Sequence, residues 1–157
     1  ALLGVRETRR IIGDYILNID DFRKLAVFED EIGRYSYPID IHIAKPDKAS
    51  YEKFHKEFTT MRLGKGESYG IPYRVLTPKG LKNLLVAGRC VSTDRNMQAS
   101  IRVMPGCYIT GQAAGVAAAM ALKSRVDIRG IDIRGLQKKL KDMGAFLPNL
   151  DRPAVGG

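Results

Sequence analysis

Three arginines stand singly in the stretch "GRCVSTDRNMQASIR", at Arg89, Arg95 and Arg102. Each carries a planar guanidinium fork of the kind that grips carboxylates and phosphates in two places at once. A run of small residues, "VMPGCYITGQAAGVAAAMALK", follows at once and reads as a helix from about Pro105 to Lys123. Its proline falls near the first turn, where the missing N–H is not needed. The free backbone N–H groups around Val103, Met104 and Gly106 then carry the positive end of the helix dipole, which attracts negative charge. Arg102 directly precedes that end. Helix start and guanidinium together predict a compact electropositive pocket for an anionic group; the competing reading pairs Arg102 with a nearby carboxylate such as Asp94.

The charge balance agrees with a small anionic ligand. The chain of 157 residues has a net charge of +9. Residues 83–157 hold 11 basic and 5 acidic side chains, against 15 and 12 in residues 1–82. Nucleic acid is the generic partner of a basic chain. Aromatic residues are only 8%, however, and no block of five lysines or arginines occurs, so nucleic acid is an unfavoured partner. The alternative function kept open is a basic interaction module, binding nucleic acid or an acidic partner through Lys45 to Lys65 and the Arg-rich second half.

Other chemistries are poorly supported. Cys90 and Cys107 lie seventeen residues apart with no CxxC pair, so they read as small buried thiols rather than zinc ligands or a disulfide framework. His42 and His55 have no second ligand at metal spacing, and no metal is expected. No run approaches the roughly eighteen apolar residues of a membrane span, and no charged-then-apolar leader opens the chain, so a soluble, cytoplasmic protein is expected. The sequence starts at Ala1 and enters a patterned region at once, which predicts a piece of something longer; the alternative is removal of a methionine before the alanine.

The elements that must position these residues follow from periodicity. "GVRETRRIIGDYIL" predicts a strand, a turn at Gly13–Asp14 and a second strand. Asn18 is placed to cap a short helix with Asp20 and Asp21 in its first turn. "YSYPIDIHI" alternates, with Ile39, Ile41 and Ile43 on one face of a strand that Pro38 places at an edge. Residues 44–70 lose the pattern and read as a solvated Lys-rich connection. A strand from Ile71 to Leu76 follows, ended by Pro78 and Gly80. The apolar run Leu84 to Ala87 reads as a strand covered on both faces. "IRGLQKKLKDMGAFL" predicts an amphipathic helix with Leu136, Leu140 and Met143 on its apolar stripe, closed by Gly144.

Within the small-residue helix, Gly111, Ala114, Gly115, Ala118 and Ala119 recur at three- and four-residue spacing and share a face. Glycine in a helix costs roughly 1 kcal/mol relative to alanine, so two of them need a reason. The reason expected is close approach, to the strand Leu84–Ala87 or to a flat ligand.

The motifs "NLLVAGRC", "RVMPGC" and "GQAAGVAAA", after "GVRETRRIIGDY", "YPIDIH" and "YGIPYRVLTP", resemble the C-terminal part of bacterial FAD-dependent oxidoreductases. These belong to the wider group that includes the fumarate reductase and succinate dehydrogenase flavoproteins. The resemblance covers nearly the whole chain. It implies an α+β fragment: the β-rich end of a substrate domain over residues 1–82, then the strand–helix return of a Rossmann-like FAD-binding domain over 83–157. Gly88 and Arg89 would approach the pyrophosphate and ribitol of FAD, and Arg102, Val103, Met104 and Pro105 would face the flavin ring. Arg95 occupies a loop position where many relatives carry histidine, so it either orients an anionic substrate or pairs with Asp94; Arg95 and Arg102 are the catalytic candidates. The dinucleotide-binding turn GxGxxG is missing, and "GKGESYG" has the wrong spacing. The partner implied is therefore an N-terminal GxGxxG domain of the same protein. Alone, the chain would be an inactive flavoenzyme fragment with an unknown small-molecule substrate, weak in FAD and prone to self-association.

Overall fold

The computed structural model describes residues 6–7, 9–41, 52 and 61–150. The architecture among them is α+β: one two-stranded antiparallel sheet and four helices. Helix α1 spans Ile19–Arg23, strand β1 Glu31–Tyr35, strand β2 Tyr69–Pro72, helix α2 Arg95–Ile101, helix α3 Met104–Ser124 and helix α4 Ile133–Asp142. Short 3-10 turns occupy Tyr73–Val75 and Gly88–Cys90.

Local rules decide the helices. Asn18 caps α1 in a reciprocal capping box with Asp21, as its sequence predicts. Asp94 and Asp132 cap α2 and α4 by accepting from Met97 N–H and Gly135 N–H. Helix α3 begins on Val103 without a side-chain cap, carries its proline in the first turn, and ends on Arg125 in the left-handed region. In α4, Leu136 and Leu140 are fully buried, but Met143 is 59% exposed and does not belong to the apolar stripe. Gly144 follows with a φ of +92°, the left-handed closure expected of it.

The strands depart from expectation. Strand β1 lies four residues upstream of the predicted 35–43 strand: Tyr35 ends it, Ile39 is buried outside any ladder, and Ile43 lies outside the described residues. Its register with β2 pairs Tyr35 with Tyr69 and Gly33 with Ile71, with a bulge near Glu31. Strand β2 ends at Pro72 rather than Leu76, because the chain then coils through Tyr73–Val75. No hairpin forms around Gly13 and Asp14 among the described residues. Gly13 instead bridges to Pro78 and Leu17 to Thr93. Gly13 N–H donates to Ser92 Oγ at 2.9 Å, and a Cβ there would overlap Ser92 and the Arg74 carbonyl.

Leu84–Ala87 is not a strand. Val86 N–H donates to the Leu76 carbonyl at 2.8 Å without extending into a ladder, and Leu84 is 44% exposed. An apolar run becomes a buried strand only where neighbours lie on both sides, and here Leu76 gives a single backbone bond and Leu85 alone of the four packs on the core. The core lies elsewhere, between the sheet and the helices: Ile32, Tyr69, Ile71, Val75 and Leu76 pack with Met97, Ile101, Ala113, Ala117, Leu136 and Leu140.

The inward face of α3 is correspondingly shifted. Gly106, Thr110, Ala113, Ala117 and Ala121 are buried, whereas Gly111 and Gly115 are exposed, with nothing within 4 Å of an added Cβ. The close approach occurs at other glycines. A Cβ on Gly106 would overlap the Ile101 carbonyl, and one on Gly33 would press on Ile109, which lets β1 pass under the start of α3.

Candidate functional site

The start of α3 is the point where most of the expected site residues meet. The Gly88–Cys90 turn lies across its first turns, held by two contacts. Gly88 N–H donates to Thr110 Oγ at 3.0 Å, and Arg89 Nε donates to the Arg102 carbonyl at 3.4 Å. Thr110 can accept because its own hydroxyl donates back along the helix to the Gly106 and Cys107 carbonyls, at 3.1 and 3.0 Å. Gly88 has a φ of +78°, a left-handed conformation that suits glycine, and no atom lies within 4 Å of the space a Cβ would take. That space is an open approach to backbone.

Arg102 has a more structural position than the sequence implies. It is 8% exposed, and its guanidinium donates to the Asp40 carbonyl at 2.7 Å. It does not pair with Asp94, whose carboxylate accepts from Met97 N–H at 2.7 Å and from Ile19 N–H at 2.9 Å. Arg95 does not pair with Asp94 either. It points to solvent from the first turn of α2, with its Nε 3.9 Å from Glu7. The structure thus brings Gly88, Arg89, Arg102 and Val103 to one place, puts Met104 and Pro105 exposed at the helix start, and leaves Arg95 on a different helix end.

Electrostatics at the helix start fit an anion. The N-terminus has no side-chain cap; Met104 and Pro105 are exposed there, with Arg89 bonded to the Arg102 carbonyl beside them, while Gly106 is buried with its amide toward Tyr35. Cys107 donates to the Arg102 carbonyl at 3.4 Å; burial pushes its thiol up, with Arg89 opposing. Beneath lies Tyr35, which the sequence pattern marked only as a strand residue. Its hydroxyl is buried without a hydrogen-bond partner. Burial raises its pKa; the Gly106 amide pulls the other way but falls short of bonding geometry. Both cysteines also differ from the buried thiols expected, since Cys90 is exposed and Cys107 half-buried.

Thr110 and Tyr35 are the residues that the sequence did not single out. Thr110 had a signal available: it is a small hydroxyl residue in the first half of a helix of small residues, four positions after Gly106. Tyr35 had none, because its place under α3 depends on the β1–β2 register. Among the described residues, no cluster of three or more His, Cys, Asp or Glu could hold a metal, and no helix is long and apolar enough to cross a membrane. His42 and His55 lie outside the described residues.

Comparison with known proteins gives one match. A model of the family described as FAD dependent oxidoreductase covers residues 1–140. No curated protein and no solved structure matches. The match takes in 140 of the 157 residues, including every element of the fold except the last two residues of α4. The chain belongs to the FAD dependent oxidoreductase family.

Proposed function

We propose that this chain is the C-terminal part of an FAD-dependent oxidoreductase akin to the fumarate reductase flavoproteins, and that the start of α3 with the Gly88–Cys90 turn is its wall of the flavin site. The single observation that carries the reading is the juxtaposition, in a chain of this family, of an uncapped 21-residue helix with a glycine turn open to backbone approach. FAD fits these residues. The open space over Gly88 accepts a close phosphate or ribitol contact, with Arg89 beside it, and the exposed helix start at Met104 turns its positive end, with the Met104 N–H as donor, toward the electron-rich edge of a ring. Met104 and Pro105 give that ring an exposed apolar border.

When bound, the flavin supplies two-electron oxidation or reduction of an organic substrate. The roles of the chain's own residues are positional and electrostatic. The α3 dipole favours negative charge at the helix start. Thr110 fixes the Gly88 turn, and Arg102 ties the segment at Asp40 to the end of α2. Arg95 is exposed on the first turn of α2 with its Nε 3.9 Å from Glu7, so an anionic substrate there would replace that carboxylate as its partner. The division at residue 82 into substrate region and flavin-domain return belongs to this proposal, as does a GxGxxG domain of the same protein as partner. Met104 and Tyr108 are exposed on the first turns of α3, as expected of a surface that such a domain covers.

The test is flavin content. This chain alone is expected to purify colourless, because the contacts to the ADP half are missing; stoichiometric yellow flavin on it would refute that. Produced together with a GxGxxG unit, the protein is expected to hold FAD, and Gly88→Val to lose it. Retention of FAD by the Gly88→Val variant would remove the turn from the site.

A further inference from the structure

Helices α3 and α4 leave between them an open groove of about 440 Å³, on the opposite end of α3 from the site above. Its floor is apolar: Val116, Ala119 and Met120 from α3, and Met143 just after α4. Lys123 and Lys139 stand on its rim, with Asp142 as the single carboxylate. Neither lysine has an ion-pair partner among the described residues, so the rim keeps a positive excess. Met143 in that lining is 59% exposed, so apolar surface of the groove is open to solvent.

We infer that this groove docks an acidic amphipathic helix of a partner protein. Three observations favour that occupant. Val116, Ala119, Met120 and Lys123 follow the i, i+3, i+4, i+7 rule, so they form a straight seam along two turns, the shape that a third helix fills. Two methionines on the floor supply adaptable apolar contact. The uncompensated lysines at the edges ask for carboxylates flanking the partner's apolar stripe. Directly before Val116, Gly115 is exposed with nothing within 4 Å of an added Cβ. An anionic bilayer offers the same charge, but a flat surface does not enter a concave seam between two helices.

The probe is a fluorescein-labelled designed helix with leucine at i, i+3, i+4 and i+7 positions and glutamate elsewhere, beside a twin in which lysine replaces every glutamate. Fluorescence anisotropy is expected to show saturable binding of the glutamate peptide, weakening with added salt, and none of the twin. The double variant Lys123→Glu/Lys139→Glu should weaken the glutamate peptide at least about tenfold and admit the lysine twin. Circular dichroism checks that the variant is folded, which two exposed side chains should not disturb. The inference is overturned if the glutamate peptide does not bind, if both peptides bind alike, or if the double variant binds unchanged. Sedimentation of the protein with phosphatidylglycerol vesicles, without peptide binding, would assign the face to a membrane instead and equally overturn it.

Discussion

Glycine-to-alanine changes at two positions of the same helix are expected to have opposite signs. At Gly115, in the middle of the 21-residue α3, an added methyl meets nothing within 4 Å, so only the backbone effect remains. Alanine restricts the unfolded chain and favours the helix, a gain of about 1 kcal/mol. At Gly106 the added methyl would overlap the Ile101 carbonyl, which is backbone and can yield only if the end of α2 shifts against the start of α3. Overpacking of that kind costs roughly 1–3 kcal/mol, more than the small propensity gain in a first turn. Urea unfolding at an unchanged m-value reads both. With m of about 1–3 kcal/mol per molar, Gly115→Ala should raise the midpoint by several tenths molar and Gly106→Ala should lower it by as much or more. If Gly115→Ala lowers the midpoint, something covers that face and the exposed assignment is wrong. If Gly106→Ala is neutral, the α2–α3 junction is not held by backbone contact.

Other expectations test single contacts. Thr110→Val removes the acceptor of the Gly88 N–H and should cost about 1–3 kcal/mol, with faster amide exchange at Gly88; Thr110→Ser should retain most of the stability. Tyr35→Phe removes a buried hydroxyl that has no partner, so stability should hold or rise in thermal unfolding; a loss above about 1 kcal/mol would mean that the hydroxyl bonds to Gly106 N–H. Arg129 and Thr77 hydrogen-bond Asp14, and the guanidinium in particular holds its carboxyl below the ordinary 3.8. The stability from a depressed carboxyl is complete above its unfolded value and disappears as pH falls through the folded one. The gap between parent and Asp14→Asn in urea midpoint should therefore be constant near neutrality and close below about pH 4; a gap that persists at pH 2 would assign it to something other than the charge.

How far the sequence could be read depends on what each feature needs. The caps of α1 and the start and length of α3 depend on residues within one turn, and Asn18, Asp21 and Pro105 announce them. The stripe of Leu136 and Leu140 is equally local, and both are buried as its period implies. Strands depend on partners. Nothing within "YSYPIDIHI" says that the ladder to β2 uses Glu31–Tyr35 instead, since that choice rests on Tyr69 being carried to Tyr35 by a distant segment. The site divides in the same way. The helix start is legible because a helix end has intrinsic chemistry, whereas Gly88 and Arg89 enter only through the family resemblance. The direction of Arg102, inward to the Asp40 carbonyl, is not, because the bond joins residues 62 positions apart.

The exposed face of α3 shows why composition alone misleads on packing. Small residues permit close approach on every side of a helix that has them on every side; which side is used depends on where bulk is missing opposite. Here β1 meets α3 at Ile109 and near Gly106, and Gly33 in that strand makes the approach possible by having no Cβ toward Ile109. A second, independent prediction follows from that geometry. Gly33→Ala should be destabilising even though β1 would gain a residue better suited to a strand, because its methyl presses on the Ile109 side chain. Ile109 is a flexible group rather than backbone, so truncation should relieve the clash: Ile109→Val, or more fully Ile109→Ala, should recover stability in the Gly33→Ala background relative to its effect in the parent. A double-mutant cycle in urea is expected to give a coupling of about 0.5–3 kcal/mol. Strict additivity would mean that β1 and α3 do not meet at this pair, and the placement of Tyr35 under the helix start would fail with it.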